Sequence, residues 1–480
     1  MTPESRTPRA GWTFAIVSVA LFMSTLDNLV VGVALPSIRA DFGATLESLQ
    51  WTVNAYTIAY AVLLLTGAAL GDRFGRKRVF MLGLGVFVAA SALSALAPSA
   101  DALIAARALL GVGAAMVTPL TLTLLSEAVP AEKRAAAIGA WAGIGGLGVA
   151  MGPVVGGAVV NGLAWQWIFW LNVPIGLALL PLSARYLTES RGPNSKLDLP
   201  GVALASVGLT SLVFGIVRAS DIGWTTTTTL ASLSVGAALL LGFVLWEHRS
   251  PAPMLPLRFF KNRAFTATNF VGMAMFFGVF GSIFFLSQFF QTVQGMTALQ
   301  SGLRTLPWTA APMVVSPIAG VLAGRYGARP FLLAGMVLQS VSLFWLSRVS
   351  DANVLYSQLI APFILGGIGM GLVFATSASA VLAAVSEQEA GQASGAANML
   401  RELGGVLGVA VLATVFSTYG SYVSPETFSA GMTAALPVGA AVTLAGAIAA
   451  ALVPRGAGST ADLESRDMAV DGAPQPQGAT

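Results

Sequence analysis

Apolar runs of about 20 residues, each long enough to carry a helix across the hydrocarbon core of a bilayer, recur along almost the whole chain. They are separated by short breaks rich in charge, proline or glycine. Runs fall near 12–36, 48–70, 79–97, 102–126, 135–160, 167–187, 199–217, 228–246, 265–290, 302–323, 330–347, 354–376, 394–417 and 431–453. That spacing predicts an all-α integral membrane protein of fourteen spans and leaves no room for a soluble domain. Composition agrees: charged residues make up 10% of the chain, against roughly 25% in soluble domains. A short basic leader with Arg6 and Arg9 precedes the first run, but no small-residue cleavage site follows it, so span 1 is expected to be retained.

An even number of crossings puts both termini on one side, and the bias of Lys and Arg in short loops marks that side as cytoplasmic. Of the 25 basic residues, only Arg39, Arg218, Arg304 and Arg348 fall in outer loops. Arg107 and Arg401 lie within spans. The basic pI comes from this asymmetry, since no aromatic-interleaved basic patch suggests nucleic acid. With no cysteine and one histidine, His248, in a connector, thiolate chemistry is excluded and neither a catalytic constellation nor a metal site is expected. No Gly-Lys pair occurs, so there is no phosphate-binding loop of the kind a nucleotide-driven pump needs. No cofactor is expected.

The segment "AALGDRFGRK" at 68–77 is repeated as "GVLAGRYGAR" at 320–329. The same offset carries span 1 onto span 9, span 4 onto span 12 and span 5 onto span 13. Two six-helix bundles follow, at 12–187 and 264–453, with an inserted helix pair and connector at 188–263 and a disordered tail at 454–480. Related bundles of this kind build transporters whose central site opens alternately to either side.

Three places carry candidate chemistry. In "GDRFGRKR" at 71–78, Gly71 and Gly75 allow a tight turn, while Asp72, Arg73 and Arg76 can bridge helix ends and hold the inner side shut; a plain positive-inside anchor is the simpler alternative. In "GVAMGPVVGG", Gly148, Gly152 and Gly156 recur every four residues on one helix face beside Pro153 and Gly157, a surface for close helix contact. Asp27, within span 1, is costly to place in hydrocarbon unless it faces a cavity or a partner. It lies roughly 13 Å, and Arg107 roughly 7 Å, from the outer ends of spans 1 and 4, so the two can meet. Either the pair is a fixed structural bridge, or Asp27 carries a proton that Arg107 helps to control.

These stretches resemble the major facilitator superfamily, and within it the fourteen-span branch of drug:proton antiporters. The likeness covers all spans through "LDNLVVGVALP", "GDRFGRKR", "RALLGVGAA", "GxxxGPxxGG", "WQWIFWLNVPIG", "QFFQTVQG" with "SGLRTLP", and "ANMLRELGGVLGVAV". It implies a major facilitator fold with two extra central helices and a proton-coupled antiporter, not an enzyme, exporting hydrophobic or cationic drugs through the plasma membrane by alternating access. A proton-coupled symporter or facilitator of another small molecule is the alternative, and a receptor on the same fold stays open. The resemblance also favours Asp27 and Arg107 as proton-coupling residues, with Glu402 in span 13 as a second proton site, and a chain working as a monomer. Ala68 and Leu110 depart from the family pattern. So does Gly324, which stands where the first copy has Asp72 and leaves that side without an equivalent acid.

Smaller expectations concern the remaining side chains. Phe284, Gln288 and Gln291 of span 9 are candidates for the substrate cavity, suited to flat ligands held by dispersion. Arg401 is expected to snorkel to the inner interface, Glu127 and Glu132 to be solvated loop charges or local pairs, and Trp165, Trp167 and Trp170 to form an interfacial belt.

Overall fold

The computed structural model describes residues 7–192, 197–251, 253, 255–385 and 389–454. The expected tail therefore lies outside the described residues, apart from Pro454. The helices, in chain order, are α1 (Thr7–Phe42), α2 (Leu46–Phe74), α3 (Arg76–Ala95), α4 (Ala100–Ala128), α5 (Ala131–Gly162), α6 (Trp167–Trp170), α7 (Asn172–Tyr186), α8 (Leu199–Ile222), α9 (Thr227–Arg249), α10 (Arg263–Gln288), α11 (Ala298–Thr309), α12 (Ala311–Tyr326), α13 (Arg329–Val349), α14 (Tyr356–Ala383), α15 (Ala390–Tyr419) and α16 (Pro425–Ala451). Fourteen helical spans are long and apolar enough to cross a membrane. No strand occurs among the described residues.

There are sixteen helices for fourteen spans because two spans break. In span 6 the break falls at Leu171, three residues before Pro174, whose missing N–H cannot bond back to Trp170. In span 10 it falls at Ala310, and Pro312 in the same way cannot bond to Trp308. Span 9 ends in one wider turn at Phe289–Val293.

The first seven helices pack together, and α10 to α16 form the second bundle. The end where α1 begins and α16 finishes is called proximal below, and the opposite end distal. In the second bundle α10 is the most enclosed span. Its rings pack on neighbouring helices, with Phe285 stacked on Phe416 at 4.7 Å and Phe276 near Phe374 at 6.3 Å.

The inserted pair α8 and α9 pack on each other, and α8 lies over the seam where α2 of one bundle meets α15 of the other. Leu209, Val213 and Val217 of α8 share a buried cluster with Ile58, Ala61 and Val62 of α2 and with Val406 and Ala410 of α15. The Thr414 hydroxyl donates to the Ile216 carbonyl at 3.1 Å, and Arg218 pairs with Glu47 at 3.1 Å. The insertion thus touches both halves of the molecule.

Candidate functional site

Asp27 sits near the middle of α1 and Arg107 in the distal third of α4, and both are completely buried. An Arg107 guanidinium nitrogen, Nη1, donates to Asp27 Oδ2 at 2.7 Å. Asn172, at the restart of the broken sixth span, donates through Nδ2 to Asp27 Oδ1 at 2.7 Å and lies 3.3 Å from the Ser91 hydroxyl. The break at Leu171 is what turns Asn172 inward. Arg107 Nε donates to the Thr52 carbonyl at 3.2 Å, and its guanidinium lies over the Tyr56 ring, 4.3 Å from the centroid. Tyr56 in turn donates to the Ser24 carbonyl at 3.4 Å. Both carboxylate oxygens are engaged, and four helices besides α1 supply the polar shell. A removal of water this complete is tolerable only for a paired, hydrogen-bonded charge. In this conformation Asp27 touches no open passage.

A path of rings leads from that pair toward the second bundle. Tyr56 stacks on Tyr60 with centroids 5.9 Å apart, and Tyr60 lies within electrostatic reach of Glu402 on α15. Glu402 is half-buried, and its Oε2 is buried without a hydrogen-bond partner. Arg401 does not snorkel to the interface. It is held inside the second bundle by the Asn398 side-chain oxygen and by the rings of Phe374 and Phe276, 5.2 and 5.7 Å from its guanidinium. Helix geometry explains the divergence, because adjacent residues project about 100° apart.

At the proximal end Gly75 adopts φ 111°, a conformation open to glycine, and so allows α2 to turn directly into α3. Gly71 packs on Leu120 of α4. Asp72 accepts from Arg76 Nε at 2.9 Å, Arg76 also pairs with Glu127 at the end of α4, and Arg78 pairs with Glu189 at 3.6 Å. Lys77 Nζ donates to the Ala184 carbonyl at 2.6 Å. Arg73 points outward. Glu127 is thus a partner of the turn, reached across 51 residues of sequence, and not a solvated loop charge. None of these ties reaches the second bundle. In the repeat, Gly324 is exposed, and neither Arg325 nor Arg329 forms an ion pair among the described residues.

The glycines of α5 divide between two neighbours. Gly148 and Gly152 face α1, so that a Cβ on Gly148 would stand 3.1 Å from the Phe22 carbonyl and one on Gly152 2.8 Å from Leu29. Gly156 faces Val30 of the same helix. Gly157 turns instead to the backbone of Ala298 and Leu299, while Gly302 of α11 faces the Pro153 carbonyl. Here the two bundles approach backbone to backbone at the distal end.

Three further contacts join the bundles, two of them sealing the same end and the Thr309 one nearer the middle of its span. Gln291 donates to the Val33 carbonyl at 2.9 Å, Thr309 donates to the Ala150 carbonyl at 3.4 Å, and Arg39 lies over the Tyr422 ring, 3.7 Å from its centroid. Tyr422 donates to Gln288 Oε1 at 2.5 Å. Burial pushes the Tyr422 hydroxyl well above the ordinary tyrosine range, so it remains a donor. Phe284 and Gln288 are 3% and 0% exposed in this seal, and Gln291 joins it as well. Trp165 is no belt residue: it is 4% exposed and donates to Asp41 at 2.8 Å. At the proximal end, by contrast, no residue of α5 from 137 to 147 is buried. The distal end is closed, while at the proximal end the bundles part along α5 and stay in contact along α2 and α15, where a Cβ on Gly395 would run into the Leu65 side chain.

Sequence reasoning found Asp27 and Arg107 because charges are rare in apolar runs. It missed Asn172, Thr52 and Tyr56, whose neutral polar types recur in many spans, although the rare "WLNVP" break does single out Asn172. Among the described residues no group of three or more His, Asp or Glu could hold a metal ion.

Comparison with known proteins gives consistent matches. The family model described as Major Facilitator Superfamily matches residues 17–409. The chain is 33% identical to a tetracenomycin C resistance and export protein of Streptomyces glaucescens over 88% of this chain and 79% of that one. It is 34% identical to the multidrug efflux pump LfrA of Mycolicibacterium smegmatis over 98% and 93%. A solved POT family transporter in complex with a thioalcohol-conjugated peptide superposes with a TM-score of 0.68 at 14% identity, covering 91% of this chain and 94% of that one; at that identity the likeness concerns the fold.

Proposed function

This chain belongs to the Major Facilitator Superfamily, and we propose that it exports lipophilic drugs or antibiotics from the cytoplasm in exchange for protons, by opening alternately at its two ends. Export is supported by relatives named for resistance and efflux that match along at least four fifths of the chain. Orientation in the plasma membrane is supported by the Lys and Arg crowded at the proximal end, which makes that end cytoplasmic. With the distal seal shut, the molecule faces the cytoplasm and is ready to load. The substrate and protons are its small partners, and one copy of the chain encloses the whole seam between bundles, so it works as a monomer.

The observation that carries the coupling is the Asp27–Arg107 pair, two opposite charges with no water contact in a membrane-spanning bundle. A proton arriving at Asp27 removes the charge that holds Arg107 and frees the guanidinium, while departure of the proton restores the bridge. Because the pair joins α1 to α4, with α7 attached through Asn172, its making and breaking changes how those helices fit together. The carboxylate is ionised and locked in the loaded, cytoplasm-facing form, and it takes up its proton after the distal seal opens and the drug leaves. Each proton returning inward brings about 2.3 kcal/mol per 100 mV of membrane potential.

The test is transport in sealed vesicles. An imposed pH gradient drives a lipophilic dye or antibiotic across, and Asp27→Asn abolishes gradient-driven movement while dye binding stays detectable. Gradient-driven transport at the wild-type rate in that variant ends the assignment.

A further inference from the structure

Beyond the proton pair, one cleft has the makings of a recognition site. It lies in the proximal half of the second bundle, between α10, α14 and α15, and is lined by Thr268, Asn269, Gly272, Ser377, Ser394 and Arg401 among others. It offers only about 40 Å³ of enclosed space, far below the range for a whole drug-sized ligand. It therefore accommodates one end of a larger molecule.

The chemistry of the lining is specific. Arg401 has no carboxylate within ion-pair distance among the described residues; its polar partner is the neutral side chain of Asn398, and its guanidinium lies near the rings of Phe276 and Phe374. Gly272 gives it room, for a Cβ there would stand 3.0 Å from the Arg401 stem. Two further groups are unpartnered. Thr268 is 1% exposed with its hydroxyl unsatisfied, and Asn269 is 4% exposed with Oδ1 unsatisfied, its Nδ2 being spent on the Phe265 carbonyl at 2.8 Å. Buried polar atoms left without partners cost stability. Glu402, the neighbouring acid, turns away toward α2.

We propose that this cleft receives the acidic group of an exported molecule: the carboxylate, phenolate or ring enolate of a flat lipophilic acid pairs with Arg401 and accepts from the Thr268 hydroxyl. An O–H or N–H beside that acidic group donates to Asn269 Oδ1, and the flat body lies toward the rings and the seam. A guanidinium is well suited to such a group, since its planar fork matches an anionic oxygen pair and tolerates aromatic neighbours. This deepens the export reading and rests on it, because it assigns a class of substrate to the same inward-facing site. The cleft is lined from the proximal parts of these three helices, the end from which an exporter must load.

The same anionic chemistry is offered by a lipid headgroup, so the experiment separates the two. The purified full chain, in phosphatidylcholine nanodiscs, is titrated with fluorescent anthracene-2-carboxylate and with its methyl ester. The acid is expected to bind at least tenfold more tightly than the ester. Arg401→Gln brings that ratio close to one, Arg401→Lys keeps part of it, and Thr268→Val lowers acid affinity severalfold. Thermal melts identify which variants are folded; if Arg401→Gln is not, the wild-type ratio and Thr268→Val decide the matter. A ratio near one in the wild-type chain, or one unchanged in folded Arg401→Gln or Thr268→Val, overturns the proposal. So does displacement of the acid when phosphatidylglycerol is added to the nanodiscs, which identifies a lipid headgroup as the occupant. Transport of the acid that ignores an imposed pH gradient, with the binding ratio intact, instead ends the proton-coupled reading and leaves the subsite standing.

Discussion

Each bundle holds an acid and an arginine deep within its spans, Asp27 with Arg107 in the first and Glu402 with Arg401 in the second, and the two treat them in opposite ways. In the first bundle Asp27 and Arg107 come from different helices, so their side chains converge and every oxygen of the carboxylate finds a donor. In the second, Arg401 and Glu402 are consecutive on α15 and diverge, leaving the guanidinium with neutral partners and Glu402 Oε2 with none. The first arrangement locks charge away; the second presents charge to whatever enters. A repeated fold therefore does not repeat its electrostatics, and the difference arises from whether the charges stand on one helix or two.

Stability gives the largest contrast. Arg107→Ala strands a buried carboxylate, a change that costs about 3–5 kcal/mol, and is expected to lower the melting temperature of the purified protein sharply. Adding Asp27→Asn recovers much of that loss, because the stranded charge is gone. Arg401→Ala removes a half-buried cation that has no carboxylate within ion-pair distance among the described residues, so its melting shift is expected to be well below that of Arg107→Ala. Equal melting shifts for Arg107→Ala and Arg401→Ala break the comparison.

Coupling gives the next. Glu402→Gln neutralises a carboxyl at the seam while leaving its shape, and it is expected to slow pH-gradient-driven dye transport about tenfold, less than the loss in Asp27→Asn. If Glu402 exchanges protons in the cycle, the variant also flattens the dependence of transport on cytoplasmic pH. A variant with wild-type rate and pH profile makes Glu402 a bystander and confines coupling to the first bundle.

How much of this could be read from the chain follows from how rare each signal is. Fourteen apolar runs announce fourteen spans, yet the helices run further than the runs: α1 continues past Pro36 to Phe42, and α2 goes on through Asp72 and Arg73 to Phe74. Polar residues end a hydropathy signal without ending a helix. The broken spans show the converse, where Pro174 and Pro312 interrupt the hydrogen-bond ladder inside an unbroken apolar run. Asp27 and Arg107 stand out as charges in apolar surroundings, but their meeting depends on helix packing that no local pattern specifies. Glu127 was hidden for a related reason, since its partner Arg76 lies two helices back along the chain. Thr268 and Asn269 resemble many polar residues that bond to their own helix, and only their unfilled bonding capacity distinguishes them.

The smallest effect belongs to the distal seal, where the bundles meet through neutral contacts and one cation over a ring. The chain has no cysteine, so a single one placed at Ser301, 0% exposed on α11, reports opening of that end by its rate of thiol labelling. Tyr422→Phe keeps the ring beneath Arg39 and loses the bond to Gln288, worth at least about 0.5 kcal/mol; labelling is expected to rise at least about twofold. Tyr422→Leu also loses the cation–ring contact, about 0.5–1 kcal/mol more at a partly exposed site, and labelling rises further. The Tyr422 hydroxyl donates below its raised pKa and loses that bond only as pH climbs through it. Accessibility corrected for thiol ionisation should therefore be flat between about pH 6 and 9. Labelling that is unchanged in Tyr422→Leu means that the backbone contact of Gly157 and Gly302 closes the distal end by itself, and the next variant to make is Gly302→Val, which forces a side chain into that contact.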